Sequence, residues 1–362
     1  MIYSRSDVHV IQGIFVVPYK SPDAPLPTLA DVAEQAGVST ATVSRCLNSP
    51  DKVGKSTRDK VMSAVHELGY SPNFGARALA AKRTNTIGAV IPTMDNAIFA
   101  RGLQAFEEAL NENGLTLLVA SSNYEPDREE RQIRTLIARG ADALLLIGYD
   151  RDPGIYEFLS RQGIPTVVSW AHDPTQPQAS VGFDNRAASR DLAAHVISLG
   201  HRNIGYITAN TASNDRARDR VRGARDAMEQ AGLDPNGLYL AQTRYSIMNG
   251  AEACGALLTK HPDITAIMCG NDVLAVGALR QAQKLGLTVP DDISITGFDD
   301  IEISLITEPA LTTVHVPHRK MGHAAARYLI DTILSDTPPA PVAPLTTDLC
   351  LRGTLAAPKS QI

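Results

Sequence analysis

The sequence is short of aromatic residues and of cysteine. Aromatic side chains make up 5% of its 362 residues, and four cysteines stand far apart, without C-x-x-C spacing or a neighbouring histidine pair. Zinc sites and the disulfide frameworks of secreted domains depend on such spacings. The sequence therefore predicts no metal, disulfide or cofactor. We expect the cysteines to be small apolar side chains in a protein of the reducing cytoplasm.

Long hydrophobic runs are missing too. No stretch reaches the roughly 20 apolar residues that a membrane-spanning helix needs. The apolar start of the chain is interrupted by His9, Gln12 and Gly13, and no small-residue cleavage site follows. We therefore expect residues 1–27 to be a flexible N-terminal extension, or an over-extended translation start, and not a signal peptide.

Common signatures of catalysis are absent. The sequence contains no G-x-S-x-G, P-loop, H-E-x-x-H or G-x-G-x-x-G segment. Asp299 with Asp300 could form a carboxylate pair, and His195, His201 or His315 could serve as a base. Isolated histidines in loops and on helices are more commonly solvated or structural, so the sequence predicts a protein that is not an enzyme.

Charge is distributed unevenly. The formal net charge is −5, which would disfavour nucleic acid if it were spread over the whole chain. Residues 28–84, however, contain eight Lys and Arg against five Asp and Glu, and residues 85–362 carry a net charge of −8. A basic segment ahead of an acidic body predicts phosphate contact by that segment alone.

The segment 28–48, TLADVAEQAGVSTATVSRCLN, has the pattern of a helix-turn-helix. One helical pattern covers 29–36, and Ser39 can cap a second that ends at Leu47, with Gly37 between them. A second helix of this kind inserts into the DNA major groove. Its inward face is predicted to hold Val43, Cys46 and Leu47, and its opposite face Thr40, Ala41, Ser44, Arg45 and Asn48.

Capping boxes, in which Ser or Thr stands three residues before an acidic residue, mark two helix starts. Thr28 with Asp31 precedes the first helix, and Ser56 with Asp59 predicts a third helix over 57–68. Three short helices would form a compact head.

From residue 86 onwards, strand-like and helical patterns alternate, which predicts parallel sheets covered by helices. The length of this region favours two similar lobes with a ligand cleft at the carboxyl ends of the strands. The strands are predicted at 87–91, 115–120, 143–147, 166–170, 204–208, 266–269 and 293–296. The helices between them are predicted at 101–112, 127–138, 186–199, 217–230, 249–259 and 271–285.

We thus expect an α/β chain with a small all-α head, a hinge and a two-lobed parallel-sheet core. The predicted divisions are an extension over 1–27, a helix-turn-helix domain over 28–72, a hinge helix and linker over 73–85 and the core over 86–362. Within the core, lobe 1 is expected at about 86–185 and 316–344, and lobe 2 at about 186–315 and 345–357.

Several longer motifs resemble LacI/GalR-type transcriptional repressors. They run in that family's order and spacing from Thr28 to Arg352: DVAEQAGVSTATVSR, GYSPNFGARALA, IGAVIP, VGFDN, LGHRNIGYI, IMCGNDVLAVGAL, VPDDISITGFDD and PALTTVHVP. The resemblance implies a homodimer on a near-palindromic double-stranded operator. It also implies a periplasmic-binding-protein-like core that holds a sugar, nucleobase or related metabolite.

The resemblance also implies roles in DNA binding. Thr40 and Ala41 match the pair that reads base edges, and Thr42 and Arg45 match positions that contact bases or backbone. Arginine can bond guanine O6 and N7 together. The full expected set is Thr40, Ala41, Thr42, Ser44, Arg45, Asn48, Lys55, Thr57, Leu79 and Ala80.

Outside the second helix, Lys55 and Thr57 stand where helix amides and a cation suit a phosphate. Leu79, next to Ala80, matches a hinge leucine that wedges into the minor groove. The alternative for Leu79 is an ordinary amphipathic linker residue.

Six residues are expected to bind the small molecule: Phe99, Trp170, Arg220, Tyr245, Asn271 and Asp299. Phe99 and Trp170 could face a sugar ring or simply pack in the core. Relatives have an acidic residue near the position of Trp170, which puts any one ligand assignment in doubt.

The polar candidates stand at strand ends and on one helix. Arg220 matches a ligand-contacting arginine, whereas Arg218, Arg222 and Arg225 fit a solvated helix face. Asn271 and Asp299 match polar ligand contacts, and Asp272 and Asp300 could be capping residues only.

Together these features predict a repressor of a carbohydrate or sugar-acid catabolic operon, whose operator affinity is switched by a bound metabolite. The alternatives are a sugar-binding protein of a transporter, or a corepressor-dependent regulator of nucleobase metabolism. The tail after Leu355 lacks a leucine repeat, so a homodimer is expected.

Overall fold

The computed structural model describes residues 26–71, 83–95, 97–335 and 339–359. It divides into two compact units, Met1–Ala81 and Lys82–Ile362. Most of the predicted extension and hinge, including Leu79 and Ala80, lies outside the described residues. No helix in the described ranges is long and apolar enough to cross a bilayer.

The first unit contains three helices: α1 (Leu29–Ala36), α2 (Thr40–Asn48) and α3 (Lys55–Leu68). The capping box at Thr28 is confirmed, because its hydroxyl accepts from Asp31 N and the Asp31 carboxylate accepts from Thr28 N. Gly37 ends α1 in the left-handed region, at φ 66°, which suits a residue without Cβ. The helices enclose a small core of Val32, Ala33, Val43, Cys46, Val61 and Ala64.

The second capping box was predicted wrongly. Helix α3 begins at Lys55, two residues earlier than expected, and its N-cap Gly54 offers no side-chain hydrogen bond. Ser56 therefore lies inside the first turn, where its hydroxyl cannot accept as an N-cap does. The amides that open α3 are left without a side-chain partner.

The second unit alternates strands and helices, as predicted. Its strands are β1 (Thr86–Ile91), β2 (Thr116–Ser121), β3 (Ala143–Ile147), β4 (Thr166–Ser169), β5 (Ser180–Val181), β6 (Ile204–Thr208), β7 (Tyr239–Gln242), β8 (Ala266–Cys269), β9 (Ser294–Thr296), β10 (Thr313–His315) and β11 (Asp348–Cys350). Its helices are α4 (Ala97–Glu112), α5 (Pro126–Ala138), α6 (Pro153–Arg161), α7 (Asn185–Ser198), α8 (Asp215–Gln230), α9 (Ile247–Lys260), α10 (Asp272–Lys284), α11 (Ile303–Ile306) and α12 (His318–Leu334).

Two parallel sheets organise this unit into lobes. Lobe 1 has the order β2-β1-β3-β4-β5 and lobe 2 the order β7-β6-β8-β9, while β10 and β11 form an antiparallel pair. Strands β1 and β3 are buried along their whole length because helices cover both faces of a parallel sheet. All seven predicted strands occur. The sequence patterns missed β5, β7, β10 and β11, which have two to four residues each, and also missed α6, α11 and α12.

The chain passes back and forth between the lobes. Helix α12 packs on α4 and on the lobe 1 strands, and Leu345 N bonds Gly182 O in the same lobe. The chain then returns to lobe 2, where Thr354 accepts from Thr312 N and donates to Ile295 O.

A close helix contact brings one tryptophan into position. A Cβ at Gly322 of α12 would lie 2.0 Å from Gly102 O of α4, so α12 needs glycine at this crossing. A Cβ at Gly102 would lie 2.5 Å from the ring of Trp170. The absence of a side chain at position 102 therefore makes room for that ring.

Candidate functional site

A cavity lies between the two lobes, at the carboxyl ends of their strands. About 340 Å³ of space in it is free of protein atoms, its opening to solvent included. Its walls are formed by Ile98, Phe99, Tyr124, Trp170, Phe183, Asn185, Asn214, Arg216, Arg220, Tyr245 and Asp299. The structure thus brings together five of the six residues that the sequence proposed for a ligand.

Asn271 is the exception. Its side chain is fully buried and caps α10, with Oδ1 accepting from Leu274 N at 2.9 Å. The sequence therefore predicted the correct edge of the lobe 2 sheet for Asn271. The side chain of Asn271, however, does not line the cavity.

Lobe 1 supplies an aromatic wall. Phe99 meets the ring of Trp170 edge-on, with centroids 5.4 Å apart, and the His318 ring lies 6.2 Å from the same tryptophan ring. Tyr124 adds a third ring from the loop after β2 and faces Tyr245 of lobe 2 across 5.9 Å. The Phe99 and Trp170 rings are each buried in the core and also line the cavity.

Polar atoms without partners converge on this cavity. Among the described residues, buried Trp170 Nε1, Asn185 Oδ1, Arg220 Nη1, Tyr245 OH and Asp299 Oδ2 make no hydrogen bond. Buried polar groups are normally paired, because leaving one unpaired costs about 1–3 kcal/mol. Five unpaired groups around one space indicate a binding site for a polar ligand.

Arg220 and Asp299 are close but not bonded to each other. Arg220 Nη1 and Asp299 Oδ1 are 3.9 Å apart, and the guanidinium also lies over the ring of Phe298, 4.5 Å from its centroid. Burial raises the pKa of Asp299 well above its ordinary value, and Arg220 opposes this shift. A ligand that bridges the two groups would satisfy both.

The backbone around the cavity is strained. Tyr124, Trp170 and Asp299 have φ angles of 59°, 60° and 104°, a region that residues with a side chain seldom adopt. Such conformations persist only where the surrounding structure holds them, and they cluster at functional sites. The cavity therefore combines unpaired polar atoms with a fixed, unfavourable backbone.

Asp272 holds the loop that carries Asp299. Its carboxylate accepts from Ile301 N at 2.8 Å and from Thr313 Oγ1 at 2.5 Å, and its own amide donates to Phe298 O. Burial raises the pKa of Asp272 to about 7. It is thus a positioning residue as well as the first residue of α10.

The outer part of the cleft contains ion pairs that cross between the lobes. Arg218 of α8 donates to both carboxylate oxygens of Asp150, at 2.6 and 2.7 Å. Asp215 accepts from Tyr149 N at 2.5 Å and from Arg216 Nη1 at 2.9 Å. We call these contacts the inter-lobe clasp. The proposal that Arg218 belongs to a solvated face was wrong, whereas Arg222 is exposed and pairs with Asp219 of its own helix.

The described residues of the predicted DNA-binding set lie on α2 and at the start of α3. Thr40, Ala41, Arg45, Asn48 and Lys55 are exposed, and Thr42, Ser44 and Thr57 are half-buried. Ser39 fixes the start of the helix by accepting from Thr42 N. Within the described ranges Arg45 forms no ion pair, so its guanidinium is available to a ligand.

Both units match known families. Residues 28–73 match the profile of bacterial regulatory proteins of the lacI family, and residues 193–355 match a periplasmic binding protein-like domain. The chain is 36% identical to the HTH-type transcriptional regulator DegA of Bacillus subtilis, over 82% of this chain and 88% of that protein. It is 33% identical to the HTH-type transcriptional regulator GntR of Escherichia coli, over 89% and 96%.

The chain belongs to the LacI family of transcriptional regulators.

Solved structures agree with this assignment. A LacI family regulator from Silicibacter pomeroyi superposes with a TM-score of 0.83 at 27% identity, over 91% of this chain and 99% of that one. The lac repressor dimer bound to operator and the anti-inducer ONPF gives 0.80 at 27%, over 92% and 100%. A CelR–cellobiose complex gives 0.66 at 30%, over 91% and 99%.

Membership in the LacI family confirms several sequence predictions. The protein is a DNA-binding transcriptional regulator and not an enzyme, and its fold is a helical head followed by a two-lobed parallel-sheet core. The transporter alternative is wrong, because the helix-turn-helix profile covers residues 28–73.

Four polar cavity residues of this LacI-family chain were not foreseen. Asn185 stands in the VGFDN motif, where its Nδ2 donates to Trp170 O, so the motif could have indicated it. Arg216 stands in the same arginine-rich run as Arg220, and Asn214 caps α8. Tyr124 follows β2 in a loop without a distinctive pattern, and only the fold brings it to the cavity.

Proposed function

We propose that this LacI-family regulator is a repressor whose affinity for operator DNA is controlled by a sugar or sugar acid bound between its lobes. The observation that carries the proposal is the set of five unpaired polar atoms around an aromatic-walled cavity. A polyhydroxylated ring offers both kinds of surface that this cavity needs. Its C–H faces can lie on aromatic rings, and its hydroxyls both donate and accept.

The two lobes would divide the contacts to such a ligand. In this scheme Phe99 and Trp170 contact a sugar face from lobe 1. Asp299 accepts two hydroxyl hydrogen bonds from lobe 2, and Arg220 donates to vicinal hydroxyls or to a carboxylate. Tyr245 and Asn185 complete the polar contacts. Asn271 is left as a helix cap that supports this edge of the sheet.

For DNA, we propose that Thr40, Ala41 and Arg45 read base edges in the major groove. Thr42, Ser44 and Asn48 would contact the adjoining bases or backbone. Lys55 and Thr57, at the uncapped start of α3, suit a phosphate because a cation and free amides meet there. For Leu79 and Ala80 the proposal of a minor-groove wedge rests on the family resemblance. A homodimer on a near-palindromic site is proposed by analogy with the lac repressor dimer.

The switch would act through the relative stability of two conformations of the core. A ligand shifts this equilibrium only by the difference between its affinities for the two states. Contacts to both lobes at once provide such a difference, because they form fully only when the lobes are closed. The proposal applies both to a ligand that releases the protein from DNA and to a ligand that strengthens DNA binding.

The test is a ligand screen followed by a DNA-binding assay. Sugars, sugar acids and nucleobases are screened for a rise in melting temperature, which a ligand of the folded state produces by mass action. The hit is then titrated calorimetrically and added to a gel shift with operator DNA. We expect a sugar or sugar acid that changes operator affinity. A nucleobase as the sole hit, or a hit that leaves operator affinity unchanged, would contradict the proposal.

The DNA-reading surface is tested separately with Arg45→Ala. Loss of a bidentate base contact is expected to cost about 1–3 kcal/mol of discrimination between operator and random DNA. Ser63→Ala, on an exposed part of α3, is the control. Equal discrimination by Arg45→Ala and the wild type would reject the role of Arg45.

A further inference from the structure

Three metal-ligating side chains meet outside the cavity, where the strands that connect the lobes lie together. Asp300 follows the loop after β9, His315 ends β10 and Cys350 ends β11. One ligand atom from each lies within 4.8 Å of the other two. We propose that Asp300, His315 and Cys350 bind a divalent transition-metal ion, with zinc as the best match.

Backbone pairing explains why the three meet. Strands β10 and β11 place Thr313 opposite Cys350 and His315 opposite Asp348, so His315 and Cys350 are diagonal neighbours on one face of the pair. A bridge between Asp299 and His315 brings the preceding loop alongside. Residues up to 50 positions apart are thus assembled by three backbone segments.

Both distances from Asp300 to the other two ligands are close to those of a tetrahedral site. Asp300 Oδ2 lies 2.9 Å from His315 Nδ1 and 3.7 Å from Cys350 Sγ. Zinc bonds of about 2.0–2.3 Å imply ligand-to-ligand separations of roughly 3.3–3.7 Å. The oxygen and nitrogen need to separate by only a few tenths of an ångström. The ion would take the place of the hydrogen between His315 Nδ1 and Asp300 Oδ2, and the neutral imidazole would keep its one proton on Nε2.

Charge and outer contacts also fit an ion. A carboxylate and a thiolate together balance a divalent cation, and neutral imidazole adds a third bond. The other carboxylate oxygen, Asp300 Oδ1, accepts from Arg352 at 2.5 Å and from Ser304 at 3.2 Å. Such hydrogen bonds orient a ligating carboxylate and leave its second oxygen free for the metal. Binding would release the Cys350 thiol proton to solvent.

The site is also accessible. The side chain of His315 is 45% exposed, whereas that of Asp300 is 15% exposed. Water can therefore fill the fourth position. An ion here would link the loop that carries Asp299 to both connecting strands, and this link is independent of any molecule in the cavity.

Cobalt provides a direct test, because a cysteine thiolate bound to Co²⁺ absorbs in the near ultraviolet. The full-length chain, freed of metal with a chelator, is titrated with Co²⁺ and then with Zn²⁺. We expect one ion per chain, a thiolate-to-cobalt band and displacement of cobalt by zinc. Cys350→Ser should remove the band, and His315→Gln should weaken binding by about tenfold or more. The exposed histidine variant His323→Gln is the matched control and should bind like the wild type.

Two results would overturn the proposal. One is a wild-type chain that shows no stoichiometric binding of either ion. The other is a cobalt band that persists in folded Cys350→Ser, which would assign the ion to other ligands. Circular dichroism establishes folding, and if Cys350→Ser does not fold, His315→Gln decides by the same titration, with unchanged affinity counting against the site.

Discussion

Two groups of polar side chains lie between the lobes, and they differ in how they are paired. In the clasp, every charge has a partner in the other lobe or beside it: Asp150 with Arg218, and Asp215 with Tyr149 N and Arg216. In the cavity, five buried polar atoms of the described residues make no hydrogen bond. The clasp can hold the lobes together without a ligand, whereas the cavity is stabilised only when a ligand supplies the missing partners. The following predictions test this division.

The largest effect is expected from Arg220→Ala. The substitution removes a charged donor of the cavity, and the side chains of the clasp are unchanged. Hydrogen bonds to charged groups contribute about 1.5–3 kcal/mol each, so ligand affinity should fall by roughly 100-fold in calorimetry. Arg222→Ala is the matched control on the same helix. Unchanged affinity in Arg220→Ala would remove this residue from the site.

An acid-induced loss of stability is expected from His318, which packs on Trp170. Burial lowers the pKa of His318 to about 4, from 6.5 in the unfolded chain. Its contribution to the free energy of unfolding is therefore complete above pH 6.5 and is lost as the pH falls towards 4. This pKa difference contributes about 3 kcal/mol at most to the free energy of unfolding.

The measurement for His318 is urea unfolding from pH 7.5 to 4, compared with His318→Gln. We expect a shallower pH dependence in the variant, and the exposed control His323→Gln should follow the wild type. Parallel curves for His318→Gln and the wild type would show that His318 is not the group responsible.

An intermediate effect is expected from Asp299→Asn. The direction of the change in ligand affinity distinguishes a neutral sugar from a sugar acid. The hydroxyl donors of a bound neutral sugar favour the ionised form of Asp299, so loss of this charged acceptor should weaken binding by about tenfold. For a sugar acid, removal of a like charge should weaken binding less, or strengthen it. Calorimetry with a sugar and its matching acid reports both. Equal changes for the two ligands would mean that the ligand carboxylate lies far from Asp299.

The smallest effect is expected at the clasp. Arg218 and Asp150 have side chains 28% and 29% exposed, so water screens the pair and its coupling should be about 1 kcal/mol or less. A double-mutant cycle of Arg218→Ala and Asp150→Ala, read out by ligand affinity, measures this coupling. We expect it to decrease with added salt. A coupling as large as the effect of Arg220→Ala would contradict the division between clasp and cavity.

Much of the fold could be predicted from the sequence. Strands such as Ala143–Ile147 form continuous apolar runs, and capping residues such as Thr28 act within one turn of the chain. Short elements were missed because two to four residues hold too little periodicity to recognise. The third helix was placed two residues late because the Ser56 to Asp59 spacing matches a capping box without forming one.

The candidate cavity was predictable where a residue type stood at a strand end or in a familiar motif. Arg220, Asp299 and Trp170 meet that condition, and the structure brings them together. Tyr124 and the clasp residue Arg218 do not. Their positions depend on contacts between loops and helices of opposite lobes. Such contacts produce no pattern in the local sequence.

The sequence by itself determined the order of the elements, the uneven charge of the two units and the family. These properties follow from local periodicity and composition, which depend only on residues that are close together in the sequence. Only the tertiary structure decided which polar atoms are left unpaired, and it alone assembled Asp300, His315 and Cys350. The physical reason is that a hydrogen bond or a metal ligand set depends on distance in space, and parallel sheets with crossover strands bring together residues that the sequence keeps far apart.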